Sequence, residues 1–95
     1  MGRIQSFGDK ETERIYGQKR SRKLPPEIQD RALVKLLMLN ASETIDDLRM
    51  PPSNKFEKLA GSLAGKYSIR INNQWRILFR ITEAGFFDVS IVDYH

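Results

Sequence analysis

The last third of the chain constrains its fold most. Three short runs there alternate apolar and polar residues: Tyr67, Ile69, Ile71; then Trp75, Ile77, Phe79, Ile81; then Phe87, Val89, Ile91. A period of two marks strands buried on one side. Asn72 to Gln74 and Thr82 to Phe86 read as the turns between them, which predicts a three-stranded antiparallel meander. The register of the first hairpin follows from the pattern. A two-residue turn would bring Arg76 beside Ile69 on the apolar face. A three-residue turn pairs Ile71 with Trp75, Ile69 with Ile77 and Tyr67 with Phe79. Because a one-residue slip moves every side chain to the other face, the pattern selects the three-residue turn. Lys66, Ser68, Arg70, Arg76, Leu78 and Arg80 then share the opposite face, with Tyr94 on the same side by parity.

The upstream residues must cover the apolar face. Ile4 and Phe7 lie in a short segment, Arg3 to Phe7, that suits an edge strand. Asp9 is placed to cap a short helix that ends at Gly17. Gln18 to Lys23 follows, with four cations in six residues. It reads either as a solvated loop or as a phosphate- or partner-contacting one. Pro25-Pro26 opens the longest helix, since proline suits a first turn whose N–H is unpaired anyway. Ile28, Ala32, Leu36 and Leu39 form its apolar stripe, widened by Leu33 and Leu37. Ser42 is expected to cap one more helical turn carrying Ile45 and Leu48. Met50 to Asn54 reads as a rigid turn, and Asn54 to Gly65 as the loop before the sheet. The prediction is one α+β domain over residues 1–95: a small antiparallel sheet with two N-terminal helices packed on one face.

Composition narrows the chemistry. The chain has 95 residues, no cysteine and one histidine. That leaves no disulfide framework, no thiolate nucleophile and no Cys- or His-rich metal site, so no metal and no cofactor are expected. No apolar run nears the roughly 18 residues of a membrane span, and no leader pattern opens the chain. A cytoplasmic location and no membrane partner are therefore expected. The net charge of +4 suits a polyanionic partner, or serves solubility alone. No phosphate-cradling glycine loop or nucleophile elbow is present. What remains is a set of cations with one tyrosine, one histidine and acids near one sheet face. Attack of a 2′-hydroxyl on its neighbouring phosphodiester needs a base, cations for the phosphorane and an acid for the leaving oxygen. Arg76 beside Trp75 is equally readable as a structural ion-pair or cation–π residue.

Lys66-Tyr67-Ser68-Ile69-Arg70-Ile71, Asn73-Gln74-Trp75-Arg76-Ile77 and the terminal Val92-Asp93-Tyr94-His95 resemble the HigB toxins of bacterial toxin–antitoxin pairs, in the wider RelE/ParE fold group. Ile4-Gln5-Ser6-Phe7 and Arg49-Met50-Pro51-Pro52 fit as well, so the resemblance covers nearly the whole chain. It implies a RelE-like fold and a ribosome-dependent endoribonuclease that cuts mRNA without a metal. Residue by residue, it implies a phosphate-binding Arg76 and a terminal acid, tyrosine and histidine at Asp93, Tyr94 and His95. It implies an RNA-contacting lysine at Lys55. Glu57 and Ala60 stand where characterised members can carry a histidine and a second lysine, with Lys58 close by. Glu57 is then the candidate base. Lys58, Lys66, Arg70 and Arg80 are further candidate RNA contacts. The resemblance also implies a cognate helix-turn-helix antitoxin, through which alone operator DNA would be reached, and the ribosome and its mRNA as targets. A toxin of the same fold that binds a protein such as gyrase, without nuclease activity, is the competing reading. A basic RNA-binding domain is the third.

Overall fold

A computed structural model describes residues 3–94. The helices come first: α1 (Lys10–Tyr16), α2 (Pro26–Ala41) and α3 (Ile45–Leu48). The strands follow as β1 (Glu57–Lys58), β2 (Tyr67–Arg70), β3 (Trp75–Thr82) and β4 (Gly85–Asp93). They form one antiparallel sheet in the order β1-β2-β3-β4. The α+β class and the meander are as expected. The fourth strand is an addition: Glu57 pairs with Ser68 and Lys58 with Tyr67, inside the stretch read as loop.

The hairpin between β2 and β3 has the expected register. Tyr67 faces Phe79, Ile69 faces Ile77, and Ile71 N donates to Trp75 O. Ile69, Ile71, Ile77 and Phe79 are fully buried against Ile28, Ala32, Leu36 and Leu39 of α2, with Ile15 of α1 and Leu48 of α3. The helices thus lie on the face that the alternation marks as apolar. Leu37 does not join them. It is 47% exposed, because the stripe facing the sheet is the narrower one through Leu36 and Leu39.

The last strand departs from simple alternation. Its turn is only Glu83-Ala84, since Thr82 pairs with Gly85. Gly85 has φ +135, and a Cβ there would lie 2.2 Å from the Arg3 carbonyl oxygen, so only glycine fits. Phe86 is therefore a strand residue and fully buried. The register then slips between Leu78 and Arg80, where Asp88 takes a left-handed φ of 54. This β-bulge adds one residue. Phe86 and Val89 both face the core, and Phe87 is turned out toward Arg80.

The N-terminal segment and α1 close the free edge of β4. Ile4 and Phe7 form parallel bridges to Phe86 and Val89. Farther along, Ile91 N donates 2.8 Å to the buried Thr12 Oγ1 of α1. Thr12 N in turn donates 2.7 Å to Asp9, the expected cap. An unpaired sheet edge is an aggregation hazard, and these contacts cover it.

The cap of α3 differs from expectation. Thr44, not Ser42, begins the helix, with Asp47 completing a capping box. Ser42 ends α2 instead, its hydroxyl donating 2.8 Å to Met38 O. The box also accounts for Asp47: hydrogen bonds from the Glu43 and Thr44 backbone hold its carboxyl below the usual range.

Candidate functional site

The turn of the β2–β3 hairpin builds the candidate site. Asn72 Oδ1 accepts from Gln74 N at 2.9 Å and Trp75 N at 2.8 Å, the turn-forming use of asparagine. This places Arg70 and Arg76 directly opposite each other across the ladder. Like charges so placed repel. The turn takes up both: Arg76 Nη1 donates 2.7 Å to Asn72 O, and Arg70 donates to Asn73 Oδ1. Neither arginine takes part in an ion pair among the described residues.

The end of β4 runs beside Arg76, on the other side of β3 from Arg70. Arg76 pairs with Val92, and Trp75 with Asp93. Tyr94 N donates 2.7 Å to Gln74 O, which fixes the chain just past the strand. Its half-exposed ring lies 5.2 Å from the Arg76 guanidinium carbon. The Arg76 Nε is buried and has no hydrogen-bond partner among the described residues. A buried donor without a partner is costly. This one belongs to an arginine paired across the ladder with Arg70 and lying beside the Tyr94 ring. A guanidinium pairs well with anionic oxygens through its planar fork of N–H donors.

The remaining expected site residues divide. Glu57 faces Ser68, which faces Leu78, so Glu57 lies on the sheet face of Arg70 and Arg76. Two strand spacings and two residues separate Glu57 from Arg76, roughly 12 Å between Cα atoms. Leu59, Ser68 and Leu78 make a buried patch on this face, so it is less uniformly basic than the alternation implies. Asp93 shares the Trp75 side of β4 rather than that of Arg76, and its Oδ2 accepts 2.9 Å from Gln74 Nε2. Lys58 shares the Tyr67 side, at the outer edge of the sheet. Lys55 is exposed and occupies a left-handed position with φ 45 after the turn Pro52–Asn54. Lys66 is half-buried. Arg80 is engaged within the fold: its Nε donates 2.7 Å to Asp88 Oδ2, and it lies over the Phe87 ring. His95 lies outside the described residues.

Sequence reasoning missed two positioning groups. One is Asn72, whose backbone oxygen aims Arg76; an Asn-Asn pair in a hairpin turn was the available signal. The other is Asn54, fully buried, which donates to Leu48 O and Met50 O at 3.1 and 3.2 Å and accepts from the Lys35 ammonium. It ties the proline turn to α2 and so fixes the chain entering Lys55 and β1. Burial, with Arg31 nearby, pulls the Lys35 ammonium below the usual lysine range. Nothing in the local pattern of an isolated asparagine announces that role. Among the described residues, no cluster of His, Asp or Glu could hold a metal ion, and no helix is long and apolar enough to cross a membrane.

Comparison with known proteins identifies the lineage. A family model described as the RelE-like toxin of type II toxin–antitoxin system HigB matches residues 5–95. Toxin HigB-1 of Vibrio cholerae is 44% identical over 75 residues, covering 78% of this chain and 79% of that protein. An uncharacterized protein of Haemophilus influenzae is 42% identical over 65 residues, 68% of this chain and 63% of that protein. The YoeB–YefM complex from Staphylococcus aureus contains a chain of like fold, with a TM-score of 0.57 at 21% identity over 100% of this chain and 98% of that one. The resemblance carried by the hairpin and C-terminal motifs is thus borne out, and the chain belongs to the HigB-like family of RelE-like type II toxin–antitoxin toxins.

Proposed function

We propose that this toxin is a ribosome-dependent endoribonuclease that cleaves mRNA by attack of a 2′-hydroxyl on the adjacent phosphodiester. The observation that carries this reading is Arg76: an arginine paired across the ladder with Arg70, aimed by the Asn72 carbonyl and lying beside the Tyr94 ring. Charge develops on the non-bridging oxygens as the phosphorane forms, and a pre-aimed guanidinium stabilises it there. Arg70 adds a second positive charge without competing for the same acceptor. Tyr94, half-exposed beside Arg76, stacks on a base and orients the ribose.

Proton transfer completes the step. The bond from the 2′ oxygen to phosphorus forms while the bond from phosphorus to the 5′ oxygen breaks. The 2′ proton passes to a base, assigned to Glu57, which shares the sheet face of Arg70 and Arg76. The leaving 5′ oxygen takes a proton from His95, the residue after Tyr94, because histidine as a residue type can give or take a proton near neutral pH. The products are a 2′,3′-cyclic phosphate and a 5′-hydroxyl. Asp93, whose carboxylate accepts from Gln74, fastens the end of β4 and so helps position Tyr94. Lys55, Lys58 and Lys66 contact RNA phosphates. Arg80 contributes least, because Asp88 already neutralises it.

A cognate antitoxin restrains the activity, and its helix-turn-helix domain reaches operator DNA. Membership of a toxin–antitoxin family supports this partner, as does the likeness to a chain from a toxin–antitoxin complex. The test is to map mRNA ends after incubation with purified toxin, with and without programmed ribosomes. New 5′-hydroxyl ends only in the presence of ribosomes are expected. Intact mRNA alongside inhibited gyrase would replace this reading with that of a protein-binding toxin.

A further inference from the structure

The loop between α1 and α2 holds a second concentration of charge, away from the candidate site. Lys19, Arg20, Arg22 and Lys23 stand among six residues with no acid. Of sixteen cations in the chain, removing these four leaves twelve against twelve acids. The whole net charge of +4 therefore resides in this loop. It joins two helices on the apolar side of the sheet, whereas Arg70, Arg76 and Tyr94 occupy the other side.

A merely solvated loop has no need of a fixed shape, yet this one is pinned. Ser21 is buried between exposed neighbours. Its N–H donates 3.0 Å to Gln29 Oε1, and its carbonyl accepts 2.8 Å from Gln29 Nε2. The same Nε2 also donates 2.8 Å to Leu24 O, and Gln29 itself is 2% exposed. The Ser21 hydroxyl donates to Glu11 and accepts from Lys23 N and Leu24 N at 3.1 and 3.2 Å. Arg14 holds the Arg20 carbonyl from outside. The backbone is thus ordered before any partner arrives, which lowers the entropy lost on binding. Lys19, Arg22 and Lys23 point to solvent, while Arg20 meets the exposed Asp30.

We propose that this loop is a second polyanion-binding surface, which grips backbone phosphates of structured RNA and holds the toxin on the ribosome independently of the chemistry at Arg76. The proposal rests on the ribosomal reading above. Phosphates fit better than an acidic peptide. Protein interfaces usually join an apolar, aromatic-rich core to their charged rim, and residues 18–23 expose no apolar side chain. Phosphate binding needs only placed cations and counterion release.

The test is a triple variant, Lys19→Ala, Arg22→Ala and Lys23→Ala, at exposed positions that leave the Ser21–Gln29 bracket intact. Affinity for programmed ribosomes is measured across salt concentrations in an Arg76→Ala background, so that mRNA is not consumed. Cleavage rate at saturating ribosomes is measured with Arg76 present. We expect binding at least about tenfold weaker, a salt slope smaller by about 2–3, and unchanged saturated cleavage and antitoxin binding. Unchanged affinity and slope would overturn the loop proposal while leaving the nuclease reading in place. Weakened antitoxin binding with normal ribosome binding would overturn it in favour of a protein contact. Failure of the parent toxin to bind or cleave on ribosomes would remove both readings.

Discussion

Arg76 and Arg80 lie on one strand, four residues apart, and project from the same sheet face. The fold treats them differently. Arg80 has a carboxylate at 2.7 Å and an aromatic ring beneath it, both supplied by the strand next door. Arg76 has an opposed arginine, a backbone carbonyl and a tyrosine, with its Nε unpartnered among the described residues. The bulge at Asp88 makes the difference, because it turns Phe87 and Asp88 toward Arg80. At the other end of β3 the register is regular and brings Val92 and Tyr94 beside Arg76. Parity alone makes the two arginines equivalent; what each finds across the ladder separates an ion-paired cation from one without an ion pair among the described residues.

Substitutions can sharpen that contrast, and the largest effect is expected at Arg76. Arg76→Ala should lower ribosome-dependent cleavage by about 10²- to 10³-fold, the usual loss for one positioned donor at developing charge. Its unfolding midpoint in urea should barely move, since the residue gives up one hydrogen bond and relieves one repulsion. Next comes Asn72→Ala, which removes the acceptor that closes the turn. Cleavage should fall about tenfold through misaimed Arg76, because small misplacements are costly in rate. Stability should fall by about 1 kcal/mol for the lost turn bonds, measured by denaturant unfolding.

Arg80→Ala should do the reverse of Arg76→Ala. Cleavage should stay within about twofold, while stability falls by less than about 1 kcal/mol, as for a half-exposed pair. The smallest effect is expected at Lys35. Its folded-state pKa is lowered by burial, so the unfolded chain binds more protons in the alkaline range. Stability should therefore rise as pH increases from the folded pKa toward the unfolded value near 10.5. Lys35→Met should flatten that rise in urea titrations between neutral and alkaline pH. A steeper rise in the variant would contradict the assignment.

The parts of the fold readable from sequence are those where periodicity and turn chemistry agree. The Asn72-Asn73-Gln74 turn lies between runs whose alternation tolerates one register, so the pairing of Ile69 with Ile77 follows from pattern alone. Asp9 and Gly17 bracket α1 as a cap and a terminator should. Thr44 was harder, because Ser42 two residues earlier is an equally good cap by type; only Asp47, three residues after Thr44, distinguishes them. The strand Glu57–Lys58 is two residues long and polar, so no periodicity could register it. The bulge at Asp88 was invisible because Phe86 and Phe87 are chemically identical, and either continues an apolar run. Of the candidate site, the closeness of Arg76 and Tyr94 was legible from strand parity. The neutralisation of Arg80 was not, since it depends on that same bulge.

The most direct test compares single-turnover cleavage of one mRNA on saturating programmed ribosomes by Arg76→Ala, Arg80→Ala and the parent toxin, with folding checked for each. Arg76→Ala should lose about 10²-fold or more, and Arg80→Ala should keep near-parent rates. Equal losses at both positions, or a folded Arg76→Ala that cleaves like the parent, would contradict the role assigned to Arg76.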